Sequence, residues 1–425
     1  MPTRSISLEE PEPVALPPTD GGKDAWLLLA GCFVINVLIW GFSFSFGVLQ
    51  EYYSGVEAFS SSPSGIAAIG TTATGLMYLL MPAYFVVLQR WPALKLWSTW
   101  ASVPIVAVAL IGASFAQRVS HLIGCQGVLF AIGGNLVFTP TVTYLDEWFV
   151  KRKGLAIGIM WAGDGTGGII MPLIMQALLS RYGFRTALRC LACAMVVCLA
   201  PLLAFIKPRS SFRQTSAPQP IDVRFLKDGS FWVLQTFNIV QGMGYFLPSN
   251  YLPTYAQSLG VSTQLGSLTL VCINLASVLG CIVVGSLMDR FDVTSVVFTL
   301  SIGAATAILA IWGVSTSLAP LYIFALMYGL TAGAYSSSWT GMIKRVQKTS
   351  DTADYNIVFG FLAAGRGIGS IISGPLSGAL VAASAALQAH GRSAYGSEYG
   401  PLIIFAGCTA FVGGFPLVAK WLRII

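Results

Sequence analysis

Twelve apolar runs succeed one another along the chain, near residues 25–48, 65–88, 97–116, 122–145, 154–180, 186–206, 230–256, 266–288, 294–314, 319–343, 355–383 and 401–421. A helix needs roughly 20 apolar residues to cross a hydrocarbon core. In lipid the backbone must satisfy its own hydrogen bonds, so runs of this length predict membrane-spanning helices. Composition agrees, because 55% of the residues are hydrophobic and only 10% are charged, against about a quarter charged in a soluble domain. The expected fold class is an all-α membrane protein with twelve transmembrane helices.

The charges that remain are arranged by side. With the N-terminus inside, eighteen Lys and Arg residues fall on interior loops and tails, among them Arg4, Lys151, Arg152, Lys153, Arg213 and Arg423, while Arg118, Arg181, Arg185 and Arg392 fall outside. Arg189 and Arg366 complete the 24 from within spans, Arg189 snorkelling outward. This asymmetry predicts that both termini are cytoplasmic, and it accounts for the net charge of +7 without a nucleic-acid partner. The polar, proline-rich start is neither a signal peptide nor a transit peptide. The expected organisation is a disordered tail at 1–24, a six-helix half at 25–206, a cytoplasmic linker at 207–228, a second six-helix half at 229–421 and a tail at 422–425.

An internal repeat supports the division into halves. GIMWAGDGTGGIIMPL, from Gly158, returns as GFLAAGRGIGSIISGPL, from Gly360, at an offset of 202 residues. Gly158, Gly163, Gly165 and Gly167 fall on Gly360, Gly365, Gly367 and Gly369, and Asp164 falls on Arg366. A weaker echo links Gly41, Phe44, Leu49 and Tyr52 to Gly242, Tyr245, Leu252 and Tyr255. Two parallel six-span halves around a central cavity are the major facilitator architecture, which this pattern resembles.

A charge in the middle of a span costs on the order of 3 kcal/mol, so Asp164 and Arg366 have to face protein or a cavity. In the functional reading, Arg366 is the fixed positive charge that attracts an organic anion and Asp164 is the titratable, proton-coupling partner. In the structural reading the two form a static ion pair, or each bonds a neighbouring backbone group, without involving substrate. The glycines are helix-packing residues, not phosphate cradles. Asn135, Asn238, Gln241, Tyr245, Asn274, Tyr335 and Trp339 join Arg366 as candidate substrate-binding residues, with Asn36, Phe44 and Tyr328 beside them, around a wide, aromatic, mildly polar pocket. The eight cysteines lie inside spans, and Cys190 and Cys193 have neither a second pair nor histidines beyond His121 and His390 to make a metal site. No cofactor is implied.

Two passages carry a closer likeness. DGGKDAW at Asp20–Trp26 resembles the entry motif of the monocarboxylate transporter family, and EWFVKRKGLAIGIMWAGDGTGG at Glu147–Gly168 resembles its second signature. The fungal branch is matched further by Tyr328 and Gly329, by Ser336, Ser337 and Trp339, by Gly365–Gly367 and by Ser373–Pro375. Departures bound what is implied. Val48 stands where animal members carry a lysine, and the eighth span has no charge before Asp289, so their lactate mechanism does not carry over.

The likeness implies a secondary transporter of a carboxylate or other small organic metabolite, proton-coupled, in a cell membrane or a vacuolar or other internal one. Its partners would be a small organic anion, protons and the bilayer. Efflux of an acidic secondary metabolite is the alternative, and a non-transporting nutrient sensor would call for longer tails. Lys151, Arg152 and Lys153, with Asp146 and Glu147, are expected to gate the interior side or simply to fix topology. Asp289 and Arg290, expected to take part in the same gate, resemble with Gly285 the superfamily's G-x-x-x-D-R loop, whose first-half counterpart at Gln89 and Arg90 lacks the acid.

Overall fold

The computed structural model describes residues 16–209, 221–386 and 394–422. The expected tails, the middle of the linker, and Arg4, Arg213, His390, Arg392 and Arg423 lie wholly or partly outside the described residues. Every regular element among the described residues is helical. The spans are α1 (Lys23–Ser54), α2 (Ser64–Arg90), α3 (Leu94–Ser114), α4 (Val119–Trp148), α5 and α6 (together Lys153–Leu203), α7 (Gly229–Ser258), α8 (Gln264–Met288), α9 (Val293–Trp312), α10 (Leu318–Thr349), α11 (Tyr355–Ser384) and α12 (Gly400–Trp421).

Two of these elements need explanation. The stretch Lys153–Leu203 is 51 residues long and turns at Gly183, whose φ of 70° and ψ of 169° suit a residue without a β-carbon, so it serves as two spans. Helix α7 is 30 residues long but is not among the ten stretches that are both long and apolar enough to cross a membrane on composition. It carries Gln235, Asn238 and Gln241, all buried in the protein rather than facing lipid. Splitting one stretch at Gly183 and adding α7 gives twelve crossings, and an even number returns both ends to one face. That face carries Lys95, Lys153, Lys344 and Lys420 in ion pairs and is called the basic face below.

The core is not divided evenly. One apolar cluster takes in α1–α6 together with the basic-face portions of α7–α11, with Phe231 and Leu234 of α7, residues from Cys281 to Leu300 and residues from Ala334 to Ala363. A second holds the opposite portions of α7–α10 with α12, including Leu247, Ala304, Phe324 and Leu402. The two halves therefore share one core at the basic face and keep separate packing toward the other.

Candidate functional site

The repeat seen in the sequence is also a repeat of contacts. Asn36 on α1 donates to the Met160 carbonyl of α5 at 2.7 Å, and Asn238 on α7 donates to the Leu362 carbonyl of α11 at 2.7 Å. Both residues of each pair are related by the offset of 202. A β-carbon on Gly167 would lie 2.7 Å from the Val37 oxygen, and one on Gly369 2.6 Å from the Ile239 oxygen, again the same contact 202 residues on. Glycine at these positions lets α5 lie against α1 and α11 against α7. Two rigid pairs result, and they hold Asp164 and Arg366 at equivalent places in the middle of the molecule.

Arg366 is 1% exposed. Its Nη1 donates to the Gln241 side-chain oxygen at 2.8 Å, and its guanidinium carbon lies 3.9 Å from the centre of the Tyr245 ring, with the Phe246 and Tyr335 rings each at 6.0 Å. Among the described residues its Nε has no hydrogen-bond partner. Asp164 is within electrostatic reach of Arg366, yet among the described residues no ion pair within 4.0 Å joins them, and Asp164 Oδ1 is also unpartnered. The static ion pair expected in the structural reading is therefore not formed. Tyr78 on α2, which the sequence did not single out, is buried within reach of both charges.

Below this polar centre, toward the basic face, aromatic rings fill the space. Trp161 of α5 meets Trp339 of α10 edge-on at 5.6 Å and stacks on Phe359 of α11 at 6.2 Å. Trp40 of α1 and Phe138 of α4 pack against Trp161 at 6.0 and 5.8 Å. With Arg366, Tyr335 and Trp339 buried, the wide pocket expected from the polar and aromatic residues is a closed, ring-filled centre.

The other expected site residues separate by what they touch. Gln241, Tyr245 and Tyr335 surround Arg366, and the Tyr335 hydroxyl is unpartnered. Asn238 spends its amide on Leu362 and its oxygen on the Trp339 indole N–H at 3.1 Å, so both residues are engaged in holding helices together. Asn274 donates across the halves to the Gly168 carbonyl at 3.2 Å. Asn135 bonds the Ala131 carbonyl of its own helix, and no contact ties it to Arg366.

At the basic face the expected gate divides. Asp289 accepts from the backbone N–H groups of Gly154 and Leu155, both at 2.9 Å, so an acid of the second half caps the first turn of α5 in the first half. Its partner is Lys344 at 2.9 Å, whereas Arg290 is exposed and forms no ion pair among the described residues. Of the basic triplet only Lys153 pairs with Asp146, and its ammonium also sits 4.5 Å above the Tyr355 ring of α11. Lys151 and Arg152 are exposed and form no ion pairs among the described residues, because the loop that carries them is held by its backbone. Glu147 pairs instead with Lys95 at 3.6 Å. Where Gln89 and Arg90 lack an acid, α11 is capped by its own Asp354, which accepts from Asn356 and Ile357 at 2.9 and 3.0 Å.

A membrane-embedded charged centre between two quasi-equivalent six-helix units, joined at one face, defines a membrane transporter. The sequence profile described as Major Facilitator Superfamily matches residues 25–373, and the chain belongs to that superfamily. It is 26% identical over 423 residues to the MFS transporter asaE of Aspergillus flavus, spanning 96% of this chain and 90% of that one. It is 27% identical to the aspyridones efflux protein apdF of Emericella nidulans, spanning 87% and 74%. The crystal structure of the superfamily member FucP in the outward conformation shares the fold, with a TM-score of 0.65 at 15% identity over 93% of this chain and 99% of that one.

Proposed function

We propose that this transporter moves an organic anion, a carboxylate or comparable acidic metabolite, by alternating access, with Arg366 as the anchor and Asp164 as the group that exchanges a proton. One observation carries the reading: a buried guanidinium whose bonded partners, the Gln241 amide and the Tyr78 and Tyr245 hydroxyls, are all neutral and whose Nε is unpartnered among the described residues. A buried charge costs several kcal/mol unless it is paired, and Gln241 does not neutralise it. An anion does, and the planar guanidinium fork suits a carboxylate. When Asp164 is ionised it competes for Arg366; when it takes up a proton it leaves Arg366 to the anion, so proton and anion bind together. The likeness to the fungal monocarboxylate transporters, at Trp148, Phe149 and the glycines that follow, agrees with a carboxylate. If the basic face is cytoplasmic, the sealed state described here is closed to the cytoplasm.

Efflux is favoured as the direction by one relative, named for the export of aspyridones. The anchor is tested by Arg366→Ala in proteoliposomes loaded with labelled organic acids. The variant is expected to reach the membrane and lose at least nine-tenths of transport, and normal transport would sink the assignment. Asp164→Asn is expected to flatten the pH dependence of the rate, and a profile that keeps its shape would return Asp164 to a packing role.

A further inference from the structure

Resting on that anion reading, the atoms left unpaired around Arg366 describe the rest of the ligand. On α5, Trp161 and Asp164 stand three residues apart and share a helix face. The chain enters α5 and α11 from the basic face and leaves α10 toward it, so Trp161, Trp339 and Phe359 all lie on the basic-face side of Asp164, Tyr335 and Arg366. The rings form a floor and the polar groups stand above it. Four of these atoms have no hydrogen-bond partner among the described residues: Arg366 Nε, Asp164 Oδ1, the Tyr335 hydroxyl and Trp161 Nε1. Arg366, Tyr335 and Trp161 are each at most 3% exposed, so bulk water does not serve them.

A buried polar atom left without a partner costs about 1–3 kcal/mol, so the ligand that binds best is the one that satisfies the most of them. A simple aliphatic acid would engage Arg366 and leave Asp164 unserved. In the protonated form that binds together with the anion, Asp164 still has a carbonyl oxygen that accepts a hydrogen bond, and the complement of that oxygen is a donor, O–H or N–H. Because Asp164 and Arg366 form no contact within 4.0 Å, that donor has to stand apart from the ligand's own anion. The floor selects shape as well as polarity, since Trp161, Trp339 and Phe359 present ring faces and edges that favour a flat π-system over a puckered ring.

We propose that the central site takes a flat aromatic or heteroaromatic acid that carries, away from its anionic group, a hydroxyl or ring N–H donor. The anion pairs with Arg366, the donor with Asp164, and the ring lies against the Trp161 floor.

Three probes of similar size and equal charge separate these elements: cyclohexanecarboxylate, benzoate and 3-hydroxybenzoate, titrated by calorimetry into the full-length protein in lipid nanodiscs. Benzoate is expected to bind about fivefold more tightly than cyclohexanecarboxylate, and 3-hydroxybenzoate about fivefold more tightly again. Asp164→Ala should abolish the gain from the hydroxyl and keep the preference for the aromatic ring, while Trp161→Leu should do the reverse. Asp164→Leu, which fills the space and removes the acceptor, replaces Asp164→Ala if the latter does not yield folded protein, and should likewise abolish the gain.

Equal affinity for benzoate and cyclohexanecarboxylate overturns the proposal and leaves the anion reading intact. So does a hydroxyl that adds nothing, or one whose gain survives removal of Asp164. The absence of saturable binding by any probe, or binding unchanged in Arg366→Gln, overturns the anion reading itself.

Discussion

At the scale of single residues, most buried Ser and Thr hydroxyls bond a carbonyl of their own helix, while the buried amides of Asn36, Gln235 and Asn238 tie one helix to another. Asp20 is a case outside the membrane. It adopts φ 60°, accepts from Val150 at 3.0 Å, Lys151 at 3.0 Å and Arg152 at 2.7 Å, and donates its own N–H to the Trp148 carbonyl, which fixes the loop before α5. Partial burial pushes its carboxyl up, but the three backbone N–H groups and the Lys151 charge outweigh that and hold it below the ordinary carboxylate value. A depressed folded value stabilises above the unfolded pKa of about 3.9 and ceases to do so as pH falls through the folded value. Asp20→Asn is therefore expected to lower the thermal midpoint at pH 7, with the difference from the parent closing toward pH 3; a difference independent of pH would refute this. Asn238 is comparable within the membrane. Asn238→Leu leaves the Trp339 N–H without its acceptor and frees the Leu362 carbonyl, a loss of about 1–3 kcal/mol in unfolding experiments. The entry motif pointed to Asp20 by its sequence, but nothing there told which backbone it would hold. Asn36 and Asn238 stand 202 residues apart and could have been paired from the repeat. Tyr78 and Lys344 left no comparable signal.

At the scale of elements, α5 is the helix on which both kinds of interface meet. Gly163 and Gly167 face α1 in the same half, while Gly154 and Gly158 face Gly285 and Cys281 of α8 in the other half. A β-carbon on Gly158 would strike the Cys281 carbonyl, and backbone cannot move aside as a flexible side chain does. Gly158→Val is expected to cost the sealed basic face about 1–3 kcal/mol. The measurement is maleimide labelling of Cys281, buried in the sealed state, in a background that retains it as the sole cysteine. Faster labelling is expected, and an unchanged rate would show that α5 and α8 part elsewhere. Helix α10 is less regular: a wide π turn at Gly329–Gly333 and a tight turn at Tyr335–Ser338 interrupt it beside the central site. Such interruptions accompany functional sites, and this one sets the Tyr335 ring beside Arg366. Hydropathy gave the spans readily because lipid imposes helical hydrogen bonding on any long apolar run. It cannot register a local change of helical pitch, since that depends on neighbours.

At the scale of the whole molecule, the halves are equivalent in their internal contacts and unequal where they meet. On one side Asp289 crosses between the halves to cap α5 and is balanced by Lys344; on the other, Asp354 caps its own helix. The cross-half latch at the helix caps thus rests on one acid. Asp289→Asn is expected to increase the distance between spin labels on the basic-face ends of α5 and α8, whereas Arg290→Ala should leave it unchanged. Equal effects of the two would mean that loop charge, not capping, holds the face closed. The sequence by itself determined the twelve spans, the two related halves and the two charges that needed a buried home, because each follows from the cost of placing polar groups in lipid. Tertiary structure alone decided how those charges are placed. Whether Asp164 and Arg366 touch, which carbonyl each asparagine bonds, and which lysine meets Asp289 all depend on distances between segments far apart in the chain. The stretch around Asp164 shows both: its glycines are legible as a packing face, while the unpaired carboxylate above a floor of rings exists only once α5, α10 and α11 are brought together.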